Sequence, residues 1–109
     1  MTDLTSYQIY DLLNRPRPLW LVGINLAGHD LRHADLSHAD LSHANLEGAN
    51  LKSANLRDAK LKVANLKGAD LSRADLNNAD LRRADLTDAK LDNAKLDGAK
   101  FDNLIGLPD

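Results

Sequence analysis

The chain contains no cysteine. That excludes disulfides, thiolate metal ligation and cysteine nucleophiles, and it fits a reducing compartment. Aromatic residues are confined to Tyr7, Tyr10, Trp20 and Phe101, so stacked rings do not build the core. Neither sign of charge dominates: 14 Lys and Arg stand against 16 Asp and Glu. No apolar run approaches the roughly 20 residues of a membrane span. The stretch Met1-Thr2-Asp3-Leu4-Thr5-Ser6 lacks the basic and apolar regions of a secretory leader. At 109 residues, these absences point to one small, soluble, cytoplasmic domain.

What the chain has instead is a short period. Leucine stands at every fifth position from Leu26 to Leu96, and Phe101 takes the next place. Alanine lies two residues before each of these from Ala34 to Ala99, with Asn, Asp or Lys between. The unit is Ala-(Asp/Asn/Lys)-Leu-x-x. On an α-helix, residues two apart diverge by about 200° and successive leucines by about 140°. No apolar stripe results. In extended backbone, alanine and leucine share one face and the residue between them points away. Five is odd, so a straight strand would send the next leucine outward. The chain must therefore turn within every repeat, always the same way, which makes a solenoid.

The outward residues suggest twenty residues per coil. Stepping by twenty gives the column Asp40, Lys60, Asp80, Lys100, with alternating sign. Asp35, Asn55, Asp75, Lys95 and Asp30, Asn50, Asp70, Lys90 likewise place no two lysines in adjacent layers. Opposite charges on neighbouring strands favour each other by roughly 0.2–1 kcal/mol. Beside the fourth column, Gly28, Gly48 and Gly68 mark a corner that needs unusual backbone angles. Four repeats per coil give a square cross-section.

The segments Ala-Asp-Leu-Ser-His (34–38), Ala-Asn-Leu-Glu-Gly (44–48) and Ala-Asp-Leu-Ser-Arg (69–73) resemble the pentapeptide-repeat family, whose pattern is A(D/N)LXX. The resemblance implies a right-handed quadrilateral β-helix with leucine or phenylalanine central in each side. Lys60, Lys90, Lys95 and Lys100 depart from the pattern, and the columns make them cross-coil charge partners. The expected fold is an all-β solenoid of about four coils over 24–103, with a short N-terminal α-helical cap.

The cap occupies residues 1–23. Thr5-Ser6-Tyr7-Gln8 fits a helix capping box, and Leu4 and Ile9 fit a hydrophobic staple. Ile9, Leu12 and Leu13 continue an apolar stripe over a helix of about 5–14, which Arg15-Pro16-Arg17-Pro18 stops. Leu19-Trp20-Leu21-Val22 then reads as a strand feeding the first coil. The cap is structural in the simplest reading, and in the sharper one its helix docks a partner through Arg15 and Arg17. At the other end, Leu104, Ile105 and Leu107 follow Phe101, and Gly106 breaks the register. Residues 104–109 are expected to form a lid. The alternative is an apolar end face for weak homodimerisation through Phe101, Leu104, Ile105 and Leu107.

No candidate chemistry survives the geometry. His33, His38 and His43 recur at one repeat position, hence at three corners of a coil, and cannot converge on a zinc ion. His29 holds an inward place under the cap. The carboxylates and the hydroxyls of Ser37, Ser42, Ser53, Ser72 and Thr87 point outward and diverge, whereas acid–base or nucleophilic catalysis needs them together. No Gly-rich phosphate loop is present. The basic residues Lys60, Lys62, Arg82 and Arg83 are mixed with Asp80, Asp102 and Lys100, so direct nucleic-acid binding is not expected. No catalytic, cofactor-binding or metal-binding residue is assigned.

Two functions remain. One is a non-catalytic structural or protein-interaction module that presents the paired variable residues, Arg32-His33, Lys62-Val63 and Arg82-Arg83 among them, to a protein partner. The other is carried by the resemblance alone: some relatives mimic DNA and protect a type II topoisomerase, gyrase, and some cyanobacterial ones regulate differentiation. Interleaved lysine and arginine weigh against a DNA mimic here.

Overall fold

The computed structural model describes residues 4–106. It opens with one helix, α1 (Ser6–Leu13). Thr5 is the N-cap. Its hydroxyl accepts from Gln8 N–H at 3.1 Å, and its own N–H donates to Gln8 Oε1 at 2.8 Å. Two of the donors every helix start leaves unsatisfied are thereby paired. Ile9 is buried, and Leu4, Leu12 and Leu13 pack half-buried against the same core. Helix α1 thus lies with its apolar stripe over the first coil.

Beyond the cap, parallel bridges join residues twenty apart, from Trp20↔Asp40 to Asp85↔Ile105. Each bridge is isolated, one residue per repeat. The turn explains why. Ala34 N–H donates to Leu31 O at 3.1 Å, and His33, between them, has φ 62°. A turn closed from the fourth residue to the first, with only its third residue at positive φ, is type II. Four of every five residues belong to such a turn, so only the central residue is free to bridge.

Where the repeat centre is Asp or Asn, all five N–H groups of a repeat have partners in the body of the rod. Around Asn50, its N–H donates to His29 O at 2.9 Å. Leu31 N–H donates to Asn50 O at 2.7 Å, and His33 N–H to Lys52 O at 3.0 Å. The alanine N–H closes the turn. The fifth, on the residue after leucine, donates to the side chain at the repeat centre, as Lys52 N–H does to Asn50 Oδ1 at 3.2 Å. The N–H groups of Arg32 and Ser72 donate in the same way to Asp30 Oδ1 and Asp70 Oδ1. The Asp/Asn preference at the centre is therefore a backbone-capping preference, an Asx turn in each repeat that has Asp or Asn there.

The interior is filled by two kinds of side chain. The leucines from Leu26 to Leu86 and the alanines from Ala39 to Ala84 are at most 1% exposed. The molecule measures 36 × 23 × 22 Å, a rod with two equal short axes. No helix among the described residues is long and apolar enough to cross a membrane.

Both ends of the solenoid differ from the sequence expectation. The ladder begins at Trp20, one repeat before residue 24, because buried Leu19 and Leu21 take the alanine and leucine places of a first repeat. Residues 104–105 do not fold over as a lid. Leu104 occupies the next alanine place, half-buried, and Ile105 bridges Asp85 with its side chain outward and 53% exposed. The coil simply continues until Gly106 falls where leucine would stand. Leu107 lies outside the described residues.

Candidate interaction surfaces

The four side faces and corners carry the polar side chains. His33, His38 and His43 are exposed, each in left-handed backbone at the third turn position. The twenty-residue step sets them in three different columns. His38 comes within ion-pair distance of a carboxylate, Asp58 Oδ2 at 3.7 Å from its Nε2. His29 is half-buried. Among the described residues, no three His, Asp or Glu side chains come together to hold a metal ion. The hydroxyls of Ser37 and Thr87 donate to Asp35 and Asp85, each at 2.6 Å, within their own repeats. They serve the turns and face no base.

The charge pattern departs from the column reading. Lysine and arginine ion pairs between coils run diagonally. Lys52 Nζ is 3.6 Å from Asp70 Oδ2, Arg57 Nη1 3.1 Å from Asp75 Oδ2, and Lys67 Nζ 3.8 Å from Asp85 Oδ2. The Asx turn is the cause. By bonding the N–H two residues on, the central carboxylate leans over the column after leucine, where the cation of the coil below stands. Lys60, Lys90 and Lys95 instead act on Asp40, Asp70 and Asp75 only at longer range. These lysines offer no acceptor to the turn.

Several carboxyls are held below the usual aspartate range. Hydrogen bonds from the Arg82 side chain do so for Asp80, with Nε at 2.8 Å and Nη2 at 2.7 Å. The Ser37 and Thr87 hydroxyls do so for Asp35 and Asp85. Because Arg82 is taken by Asp80, the basic group at Lys62, Arg82 and Arg83 is partly neutralised from within. Val63, beside it, is half-buried rather than solvent-exposed.

The two ends are unlike. At the N-terminal end, Tyr7, Tyr10, Trp20 and Val22 are exposed. Arg17 is occupied internally: it donates to Leu13 O at 3.2 Å and to Asp35 O at 2.6 Å, tying the end of α1 to the rod. Arg15 pairs with Asp11 at 3.4 Å. At the C-terminal end no helix covers the last coil among the described residues. Leu91, Ala94, Leu96, Phe101 and Leu104 are only half-buried. The N–H groups of Leu91, Leu96 and Phe101 have no backbone partner among the described residues. Around this apolar centre the polar residues alternate in sign: Asp88, Lys90, Asp92, Lys95, Asp97, Lys100, Asp102.

Comparison with known proteins gives the same picture of the rod. The family model for pentapeptide repeats matches eight copies, over residues 30–62 and 64–103. The chain is similar to the crystal structure of a pentapeptide repeat protein, alr5209, from Nostoc PCC 7120. There the identity is 40%, the TM-score 0.67, and the match covers 75% of this chain and 79% of that one. It is also similar to the pentapeptide repeat protein Rfr23 from the cyanobacterium Cyanothece 51142. Identity is 36% and TM-score 0.52, over 86% of this chain and 68% of the other. No curated protein matches.

Proposed function

We propose, from the premise that this chain belongs to the pentapeptide-repeat family and so folds as a right-handed β-helix, that it is a non-catalytic protein-interaction module whose C-terminal end joins a second copy of itself. The observation that carries the reading is the difference between the ends. Helix α1 covers the first coil, whereas among the described residues nothing covers the last one, where Leu96 and Phe101 are half-buried and ladder donors have no backbone partner. Apolar surface ringed by polar groups and an unpaired sheet edge both favour association.

The rim supports a second copy as the occupant. Its aspartates Asp88, Asp92, Asp97 and Asp102 follow the leucine positions, at the corners, and Lys90, Lys95 and Lys100 sit at face centres. A two-fold axis that turns one square by about 45° against the other sets the three face lysines against corner aspartates. An isologous interface needs this kind of self-complementarity. Polar groups elsewhere on the rod diverge, which supports binding over catalysis.

Light scattering of the chain at micromolar concentration tests the reading. A dimer mass is expected, and Phe101→Lys or a triple Lys90→Glu, Lys95→Glu, Lys100→Glu variant should give a folded monomer. A wild-type chain that stays monomeric at hundreds of micromolar overturns it.

A further inference from the structure

One corner of the rod carries a groove lined by basic and hydroxyl side chains. The groove has a volume of about 500 Å³ and runs parallel to the rod axis. Two columns line it, one from each turn position, and both cross four successive coils. The first three coils contribute Arg32 and His33, then Lys52 and Ser53, then Arg73; the fourth contributes Asp92. The groove exists because short side chains alternate with long ones. Ser53 lies between His33 and Arg73 at the same turn position, so the two longer side chains stand over a notch.

The charges in the notch are unevenly satisfied. Asp30 takes Arg32, at 2.9 Å, and Asp70 takes Lys52, at 3.6 Å, both from the adjoining face. The Arg73 guanidinium has no ion pair or side-chain hydrogen bond among the described residues. An unpaired guanidinium, an ammonium and an imidazole surround the hydroxyl of one short residue. That donor set suits a tetrahedral dianion better than a carboxylate, because it offers donors from several directions and a planar fork for two oxygens. Asp92 lies farther along the groove, where a cation is favoured.

We infer that this corner binds an extended peptide bearing a phosphorylated serine or threonine over Ser53 and Arg73, with a basic residue two positions away on Asp92. The spacing supports a peptide rather than a free anion. From midway between Ser53 and Arg73 to the coil of Asp92 is about one and a half coil steps of ~4.8 Å, or about 7 Å. Two residues of extended chain span ~6.6 Å and point the same way. The site uses a side of the rod, not its end, so it stands or falls independently of self-association.

Fluorescence anisotropy with the full chain tests it, using labelled glycine-rich peptides that carry phosphoserine and arginine two positions apart, in either order. One order should bind at least tenfold tighter than its unphosphorylated form at low salt. Arg73→Gln and Lys52→Gln should each weaken it at least fivefold, and Arg83→Gln, at another corner, by less than twofold. Equal binding of phosphorylated and unphosphorylated peptides overturns the inference. So does an Arg73→Gln chain that binds as the wild type, or inorganic phosphate that binds as tightly as the peptide.

Discussion

Arg57 Nη1 lies 3.1 Å from Asp75 Oδ2, a carboxylate 18 residues further along the chain and one coil up. The offset is two short of a full coil because Asp75 Oδ1 is engaged by the N–H of Asn77 at 3.1 Å. One side chain therefore caps a turn and reaches back to the coil beneath.

That double duty fixes what the four central lysines cost. Lys60 offers no oxygen to the N–H of Lys62. Lys60→Asn should supply one and raise stability by about 0.5–1.5 kcal/mol, the net value of a hydrogen bond. Asn65→Ala should lose a similar amount by removing the acceptor that Lys67 N–H uses at 3.0 Å. Paired thermal melts check both signs.

Backbone strain predicts a second pair of changes. Val63 sits at φ 60°, where a branched side chain is badly accommodated. Val63→Asn should stabilise the rod by about 1 kcal/mol. Gly48, at φ 67°, has open space where a Cβ would go. Gly48→Val should nonetheless cost about 1–2 kcal/mol from conformation alone. Urea titrations of both variants measure this, and a neutral Gly48→Val would show that space, not backbone, governs the turns.

The interior should not tolerate charge. Leu66 is fully buried, and Leu66→Lys should abolish folding by placing an unpaired ammonium among leucines. Phe101→Lys, in the half-open last coil, should leave a cooperative transition. Circular dichroism melts separate the two, and near-wild-type melting of Leu66→Lys would refute the inward assignment.

Acid should loosen the rod. Asp35, Asp40, Asp70, Asp80 and Asp85 all titrate below their ordinary range when folded. A carboxyl whose folded value is lower than its unfolded value contributes stability above the unfolded value, about 3.9, and loses it as pH falls. Melting temperature should hold from pH 7 to about 5 and drop below about 4. A double Asp70→Asn, Asp85→Asn chain keeps both turn acceptors and should show a shallower drop.

Much of this fold was legible because the five-residue period admits so few conformations. Leucine and alanine two apart demanded extended backbone, and the odd period demanded turns. Thr5 and Gln8 announced the helix start as plainly. The diagonal ion pairs were not legible, since they depend on which way the central carboxylate leans, and that follows from a hydrogen bond inside the repeat. Leu104 was missed as a repeat member because it is not alanine, and Leu19 was read as part of a feeding strand rather than as a full repeat. At the ends of a stack the inward place has room for a larger side chain, so composition alone misplaced both boundaries. The groove over Ser53 was hidden for a different reason. Its residues are twenty apart, and only the coil length brings them side by side.

Helix α1 has a consequence for stoichiometry. A rod with two bare ends would add subunits head to tail without limit and grow into fibres. With Ile9 and its neighbours sealing one end, the proposed association through the other end would have a single adhesive pole and would be complete at two copies.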